Sequence, residues 1–229
     1  MGNAECIARG IYLVGGSGIS RSDDATSFVI DFGAELVMID AGAGDSTEML
    51  LSNMEGAGLN PAGLSLLILT HCHIDHIGSA PAIRDLCGCK IMIHSLDAEA
   101  VERGDPIRTA ARWYGTDFPP TRMDLKLVGD HLALPYGDET LHCLHTPGHT
   151  PGSIVLYLDR DGKRILFGQD IHGPFLAAFG SDMGQWRISM EKLLALDADV
   201  LCEGHFGIFQ PRERVQAFIR KHLRMNERP

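Results

Sequence analysis

The stretch Thr70-His71-Cys72-His73-Ile74-Asp75-His76 places four groups able to hold a metal ion within six residues. It follows directly on the apolar run Leu64-Ser65-Leu66-Leu67-Ile68-Leu69, which reads as a buried strand. In an extended segment, residues two apart project to the same side, so His71 and His73 can converge on one ion. Asp75 and His76, where the chain turns away, can reach a second. Neutral imidazole combined with carboxylate suits zinc, and also iron, nickel or copper. The same alternation turns Cys72 away from the ligands and makes it a core thiol.

Three later segments share one design, a β-run that ends in a metal-capable residue beside glycine. His149 stands in the Pro/Gly turn of Thr146-Pro147-Gly148-His149-Thr150-Pro151-Gly152, Asp170 closes Ile165-Leu166-Phe167-Gly168-Gln169, and His205 follows Val200-Leu201-Cys202-Glu203-Gly204. Small residues allow close backbone approach, and strand ends hold ligands rigidly. Singly, such a His or Asp is usually a turn residue; the order of all of them is what carries the signal. His94, His131, His142, His145 and His222 have no motif and read as structural or solvated. His172, two residues beyond Asp170, is placed to face a substrate.

The elements that must position these groups alternate along the chain. Strands are expected over 5–14 and 27–40, the latter broken by a turn at 31–35, then a helix over 46–57 stopped by Gly58 and the strand 64–69. Helices over 78–86 and 96–103 flank a strand at 90–93. Short strands follow at 125–128, 131–134, 139–144, 153–158 and 163–167, with a hairpin turn at Asp159-Arg160-Asp161-Gly162-Lys163. A helix over 185–194, a strand at 200–202 and an amphipathic helix over 212–223 complete the chain. No linker separates the halves, which predicts a single layered α/β domain over 1–229. Its least regular part is a lid insertion over 95–124. Residues 104–124 mix Trp113, Tyr114 and Phe118 with Arg108, Arg112 and Arg122, the composition of a substrate cover.

With 20 basic and 30 acidic residues the formal net charge is −10, and no dense Lys/Arg run occurs, which argues against a nucleic-acid partner. No apolar run reaches transmembrane length, so no membrane partner is expected. The six cysteines lack paired zinc spacing and read as free thiols. No basic segment followed by an apolar core opens the chain, so a cytoplasmic location is expected. A small-molecule substrate is the expected partner; oligomeric state is open, and a homodimer is compatible with the sequence.

The motif HxHxDH, the PGHTPG turn, the strand-terminal Asp170 and the Gly204-His205 pair together resemble the metallo-β-lactamase-fold superfamily, from Asp40-Ala41-Gly42 through His205. The resemblance implies a four-layer αββα sandwich, two mixed β-sheets with helices outside and metals at one edge. It implies that His71, His73 and His149 hold one metal, that Asp75, His76 and His205 hold a second, and that Asp170 bridges them. Asp40 corresponds to a structural aspartate that supports the metal loop. Two divalent ions follow, zinc first, with iron or manganese as alternatives. Two metals roughly 3.5–4 Å apart share a hydroxide that attacks a carbonyl carbon, with Asp75 as the catalytic group that manages the proton.

Within that superfamily the glyoxalase II-like and lactonase-like branch is the nearest in kind. His73 replaces the glutamate of flavodiiron oxygen reductases, and Asp170 stands where some β-lactamases carry cysteine. With 24 residues after His205, a glutathione-binding helical extension is not expected. The expectation is therefore a thioesterase or lactonase acting on a small thioester, lactone or related ester. The substrate wall would come from Trp113, Tyr114 and Phe118 with His172, Phe175 and Phe179, and from Trp186. Two rivals share the fold: a mononuclear iron persulfide dioxygenase and a non-catalytic sensor or binding module.

Overall fold

The computed structural model describes residues 4–226, and the chain divides into two compact units, Met1–Leu127 and Val128–Pro229. In the first, seven strands lie side by side in chain order: β1 (Glu5–Ala8), β2 (Ile11–Gly15), β3 (Ser27–Asp31), β4 (Leu36–Ile39), β5 (Leu64–Ile68), β6 (Lys90–His94) and β7 (Leu125–Leu127). Hairpins make β1 to β4 antiparallel, whereas β4 to β7 are parallel. Parallel neighbours need a crossover, and the helices α1 (Thr47–Gly56), α3 (Ala80–Cys87) and α4 (Ser95–Arg103) supply it. A one-turn helix, α2 (Ile74–Ile77), precedes α3. The expected single strand over 5–14 is corrected to a hairpin, because Gly10 adopts φ +66° and reverses the chain between β1 and β2.

Apolar residues of β4, β5 and β6 form one buried cluster with Leu50 and Met54 of α1 and Ile83 of α3. All of β4 is buried, which explains its uninterrupted Leu-Val-Met-Ile sequence. Helix α3 opens with proline in its first turn, where a missing N–H costs nothing, and closes on Gly88 in the left-handed region.

The second unit holds a six-stranded sheet ordered β13-β12-β11-β10-β9-β8. Its strands are β8 (His131–Tyr136), β9 (Glu139–His145), β10 (Ile154–Arg160), β11 (Lys163–Phe167), β12 (Val200–Glu203) and β13 (Gly207–Phe209). β8 to β11 form an antiparallel meander. β11 and β12 run parallel across α5 (Met183–Leu196), and β13 returns antiparallel. The sheet is therefore mixed, like the first. Asp182 caps α5 by accepting the amides of Gly184 and Gln185. Trp186, Met190 and Leu193 of α5 join Val215, Phe218 and Ile219 of α6 (Arg212–Met225) over Val155, Leu166 and Leu201. The three-residue β13 was not anticipated, being too short to show a period.

Both units contain one device. Where two parallel strands end side by side, the chain leaves the sheet with chemistry-bearing residues: after β4 and β5 in one unit, after β11 and β12 in the other. Among the described residues no helix is long and apolar enough to cross a membrane.

Candidate metal centre

In the first unit the donors come from the loop after β5. His71, His73, Asp75 and His76 are all buried. Imidazole ring centroids lie 4.6 Å apart for His71 and His73 and 4.2 Å apart for His71 and His76, and the Asp75 carboxylate stands 3.8 Å from Nε2 of His76. His73 enters α2, whose single turn brings Asp75 and His76 round. The amide of Ile74 donates to the carbonyl of Thr109 at 2.7 Å, and the amide of Ala41 to the carbonyl of His76 at 2.7 Å, so the loop is tied on two sides. Gly78 ends the turn, and a Cβ there would lie 2.1 Å from the carbonyl carbon of Ala43.

Asp40 organises this loop. It sits just past β4 at φ +59°, a backbone region that aspartate tolerates better than most residues. Its carboxylate accepts the amide of Thr70 at 2.8 Å, the hydroxyl of Thr70 at 2.8 Å and Nδ1–H of His76 at 2.7 Å. The Thr70 hydroxyl has then given its hydrogen to Asp40, so at 3.2 Å it accepts from Nδ1 of His71. Both imidazoles thereby carry the proton on Nδ1 and the electron pair on Nε2.

In the second unit Asp170 follows β11, preceded by Gln169 at φ +40°, whose side chain accepts the amide of Asp170. One carboxylate oxygen of Asp170 stands 3.7 Å from Nε2 of His149 and the other 3.2 Å from Nε2 of His205. The carboxylate thus divides between two imidazoles. Nδ1 of His149 donates to the carbonyl of Pro174 at 2.9 Å, which again puts the electron pair on Nε2. His149 and Asp170 are buried, while His205 is partly exposed. Gly204 is required by packing: a Cβ there would lie 2.3 Å from Oδ1 of Asp170.

Each unit contributes donors of the kind that holds a divalent cation. His71 with His73, Asp75 with His76, and Asp170 with each of His149 and His205 offer ligand atoms within 4.8 Å of one another. Buried imidazoles and carboxylates gathered this closely are costly to desolvate unless a cation compensates them. The nitrogen and oxygen set is that of zinc and its divalent neighbours. Cys72 lies in the apolar cluster, as the alternation predicts, and burial pushes its thiol well above its ordinary range, with the Asp97 charge adding to the effect.

The expected substrate residues separate by burial. Trp113 is 64% exposed and Tyr114 is also exposed, on turns whose base is held by the Asp105 carboxylate accepting the amides of Ile107 and Arg108. Phe118 is buried in the apolar cluster of the first unit. In the second unit Phe175 and Phe179 approach the His149 ring edge-on at 6.4 and 6.5 Å, and Phe175 packs at 5.0 Å on the buried Trp186, whose indole N–H donates to the carbonyl of Ile171. Two residues near the site were not singled out from sequence. Phe206 follows His205 and is 58% exposed, and Glu203 is fully buried at the end of β12. An acid closing a buried apolar strand was the signal for Glu203.

Residues 23–205 match the model of the metallo-beta-lactamase superfamily. An uncharacterized protein of Mycobacterium tuberculosis is 33% identical over 187 residues, covering 76% of this chain and 81% of its own. An acyl-coenzyme A thioesterase of Gallus gallus is 31% identical over 182 residues, which covers 70% of this chain and 62% of the thioesterase. A metallo-β-lactamase from Cronobacter sakazakii superposes with a TM-score of 0.84 at 21% identity, over 98% of this chain and 95% of that one. At that identity the likeness establishes the fold, two mixed sheets with helices, as the sequence led one to expect.

Proposed function

Because this chain belongs to the metallo-β-lactamase superfamily, we propose that it is a metal-dependent hydrolase of a small thioester, lactone or related ester. His71, His73 and His149 would hold one divalent ion and Asp75, His76 and His205 a second, with Asp170 shared; zinc is the first choice of metal. The observation that carries the reading is the arrangement of Asp40, Thr70, His71 and His76, which gives two buried imidazoles the tautomer a metal ligand needs. The thioester class is supported by the similarity to the Gallus gallus acyl-coenzyme A thioesterase.

Divalent ions in such a site polarise a carbonyl oxygen and lower the pKa of bound water from 15.7 toward about 7. The chain supplies the rest. Asp75, held by the turn of α2, accepts the proton released as water adds to the carbonyl carbon and returns it to the departing thiolate or alkoxide. The products are one carboxylic acid and one thiol or alcohol. Phe175 and Phe179 line the approach to His149 and keep water away from the acyl chain, and Trp113 and Tyr114 offer apolar surface to the substrate.

The test is a panel of acyl thioesters, lactones and a β-lactam, assayed with chain loaded separately with zinc, manganese and iron and analysed for metal content. About two ions per chain and turnover of a thioester or lactone are expected, with Asp75→Asn slower by about 10²–10⁴ and folded by circular dichroism. A chain that holds a single iron and consumes oxygen with a persulfide overturns the assignment.

A further inference from the structure

Glu203 is fully buried, yet its carboxylate is placed at the junction of three groups. One oxygen lies 2.7 Å from Nδ1 of His172. The other accepts the backbone amides of His205 at 2.8 Å and Phe206 at 2.9 Å. These two amides belong to the turn between β12 and β13, the segment from which His205 reaches Asp170. The His172 ring stands edge-on to His205 at 5.5 Å and to Phe206 at 4.8 Å, and its side chain keeps 16% exposure. His222, buried against Phe206 and Phe218, lies beyond at 6.3 Å from His172.

The two oxygens have separable consequences. An ionised carboxylate only accepts, so in the neutral His172 ring the proton is on Nδ1 and Nε2 carries the electron pair. His172 therefore meets a substrate as a hydrogen-bond acceptor and selects a donor, such as the amide N–H of a pantetheine-like thioester arm. The other oxygen fixes the backbone that aims His205. We propose that Glu203 is a positioning residue with two tasks: it sets the affinity of the metal position that includes His205, and it holds His172 as an acceptor for an N–H or O–H donor on the substrate.

This rests on the metal-dependent reading above, and the test separates the two. Zinc affinities of the full chain are measured at pH 8 by competition with a chromophoric chelator, and the tautomer of His172 is read from the ¹⁵N shifts of its ring. Glu203→Ala loses both tasks, and one of two zinc ions should bind about 10–100-fold more weakly. Glu203→Gln can still turn its oxygen to the two amides, leaving its NH₂ toward His172. Zinc affinity should then stay within about threefold, since the amide bonds persist, while the ring changes to the Nε2–H tautomer. Should Glu203→Ala not fold, Glu203→Asp, too short to serve both sides, takes its place with the same expectation for zinc. A kcat/KM loss for Glu203→Gln confined to thioesters bearing an amide N–H completes the pattern. If the wild-type chain takes two zinc ions and every Glu203 variant matches it, or if wild-type His172 already carries Nε2–H, the inference is wrong. A wild-type chain that takes up no metal overturns the hydrolase reading and this inference with it.

Discussion

The carboxylate of Asp40 accepts Nδ1–H of His76 at 2.7 Å, from a position thirty-six residues earlier in the chain. The same carboxylate acts on His71 through the Thr70 hydroxyl. Replacing Asp40 with Asn preserves size and tolerance of the left-handed backbone but removes the charge and one acceptor. Zinc affinity should fall about 10–100-fold while the far-ultraviolet circular dichroism spectrum is unchanged. Unaltered affinity in a chelator competition would separate Asp40 from the metal loop.

Trp113 and Tyr114 are exposed on turns that follow α4, and large apolar groups so placed call for a reason. If they contact substrate, changing either to Ala should shift kcat/KM unequally across thioesters and lactones, by a factor of about ten or more for the most apolar acyl groups. Metal content should stay constant. An unchanged substrate ranking would reduce both residues to surface packing.

Thiol reactivity should divide sharply. Burial pushes Cys89 up to about 11 and Cys143 up to about 12, and raises Cys202 further, while Cys72 is raised by burial and by Asp97. Cys6 is exposed. Alkylation of the folded chain at pH 8, followed by peptide mass spectrometry, should modify Cys6 first and these four on the order of a hundredfold more slowly, because the thiolate is the nucleophile. Rapid labelling of Cys143 in the folded chain would contradict its burial.

Acid should destabilise the fold through two histidines outside the metal loop. Burial foremost, with the neighbouring His131, pushes His142 below its ordinary value; burial foremost, with His172, does the same for His222. The unfolded rings take a proton near pH 6.5 and the folded ones only at lower pH. The stability is therefore complete above about 6.5 and is lost as pH falls toward the folded values. The melting temperature should drop from pH 7 to pH 5. His222→Phe, which keeps aromatic contact with Phe206 and Phe218, should make that drop smaller. Superimposable pH profiles would remove His222 from the effect.

The legible part of this chain was the part whose information is local. His71, His73, Asp75 and His76 stand within six residues behind one apolar strand, so spacing alone exposed them. His149, Asp170 and His205 became readable only as an ordered series of strand ends beside glycine. Glu203 escaped because its partners are backbone amides and a histidine thirty-one residues earlier, contacts that no periodicity encodes. Phe118 was grouped with Trp113 by composition, but chain direction after a run of turns decides burial, and it falls in the core. The β1–β2 hairpin was missed for a similar reason: one glycine within an apolar run reverses the chain.

The backbone at Asp40 narrows which mutations that position can sample. A single base change from an aspartate codon reaches Asn, His, Tyr, Gly, Ala, Val or Glu. At φ +59° only Asn and Gly sit without serious strain. Neither offers two acceptor oxygens, so neither can take the Thr70 amide on one oxygen while the Thr70 hydroxyl and His76 share the other. Glu keeps the oxygens but lengthens the arm on a backbone it does not favour. Every one-step neighbour is thus inferior, and Asp40 stands on an isolated peak from which drift leads only downhill.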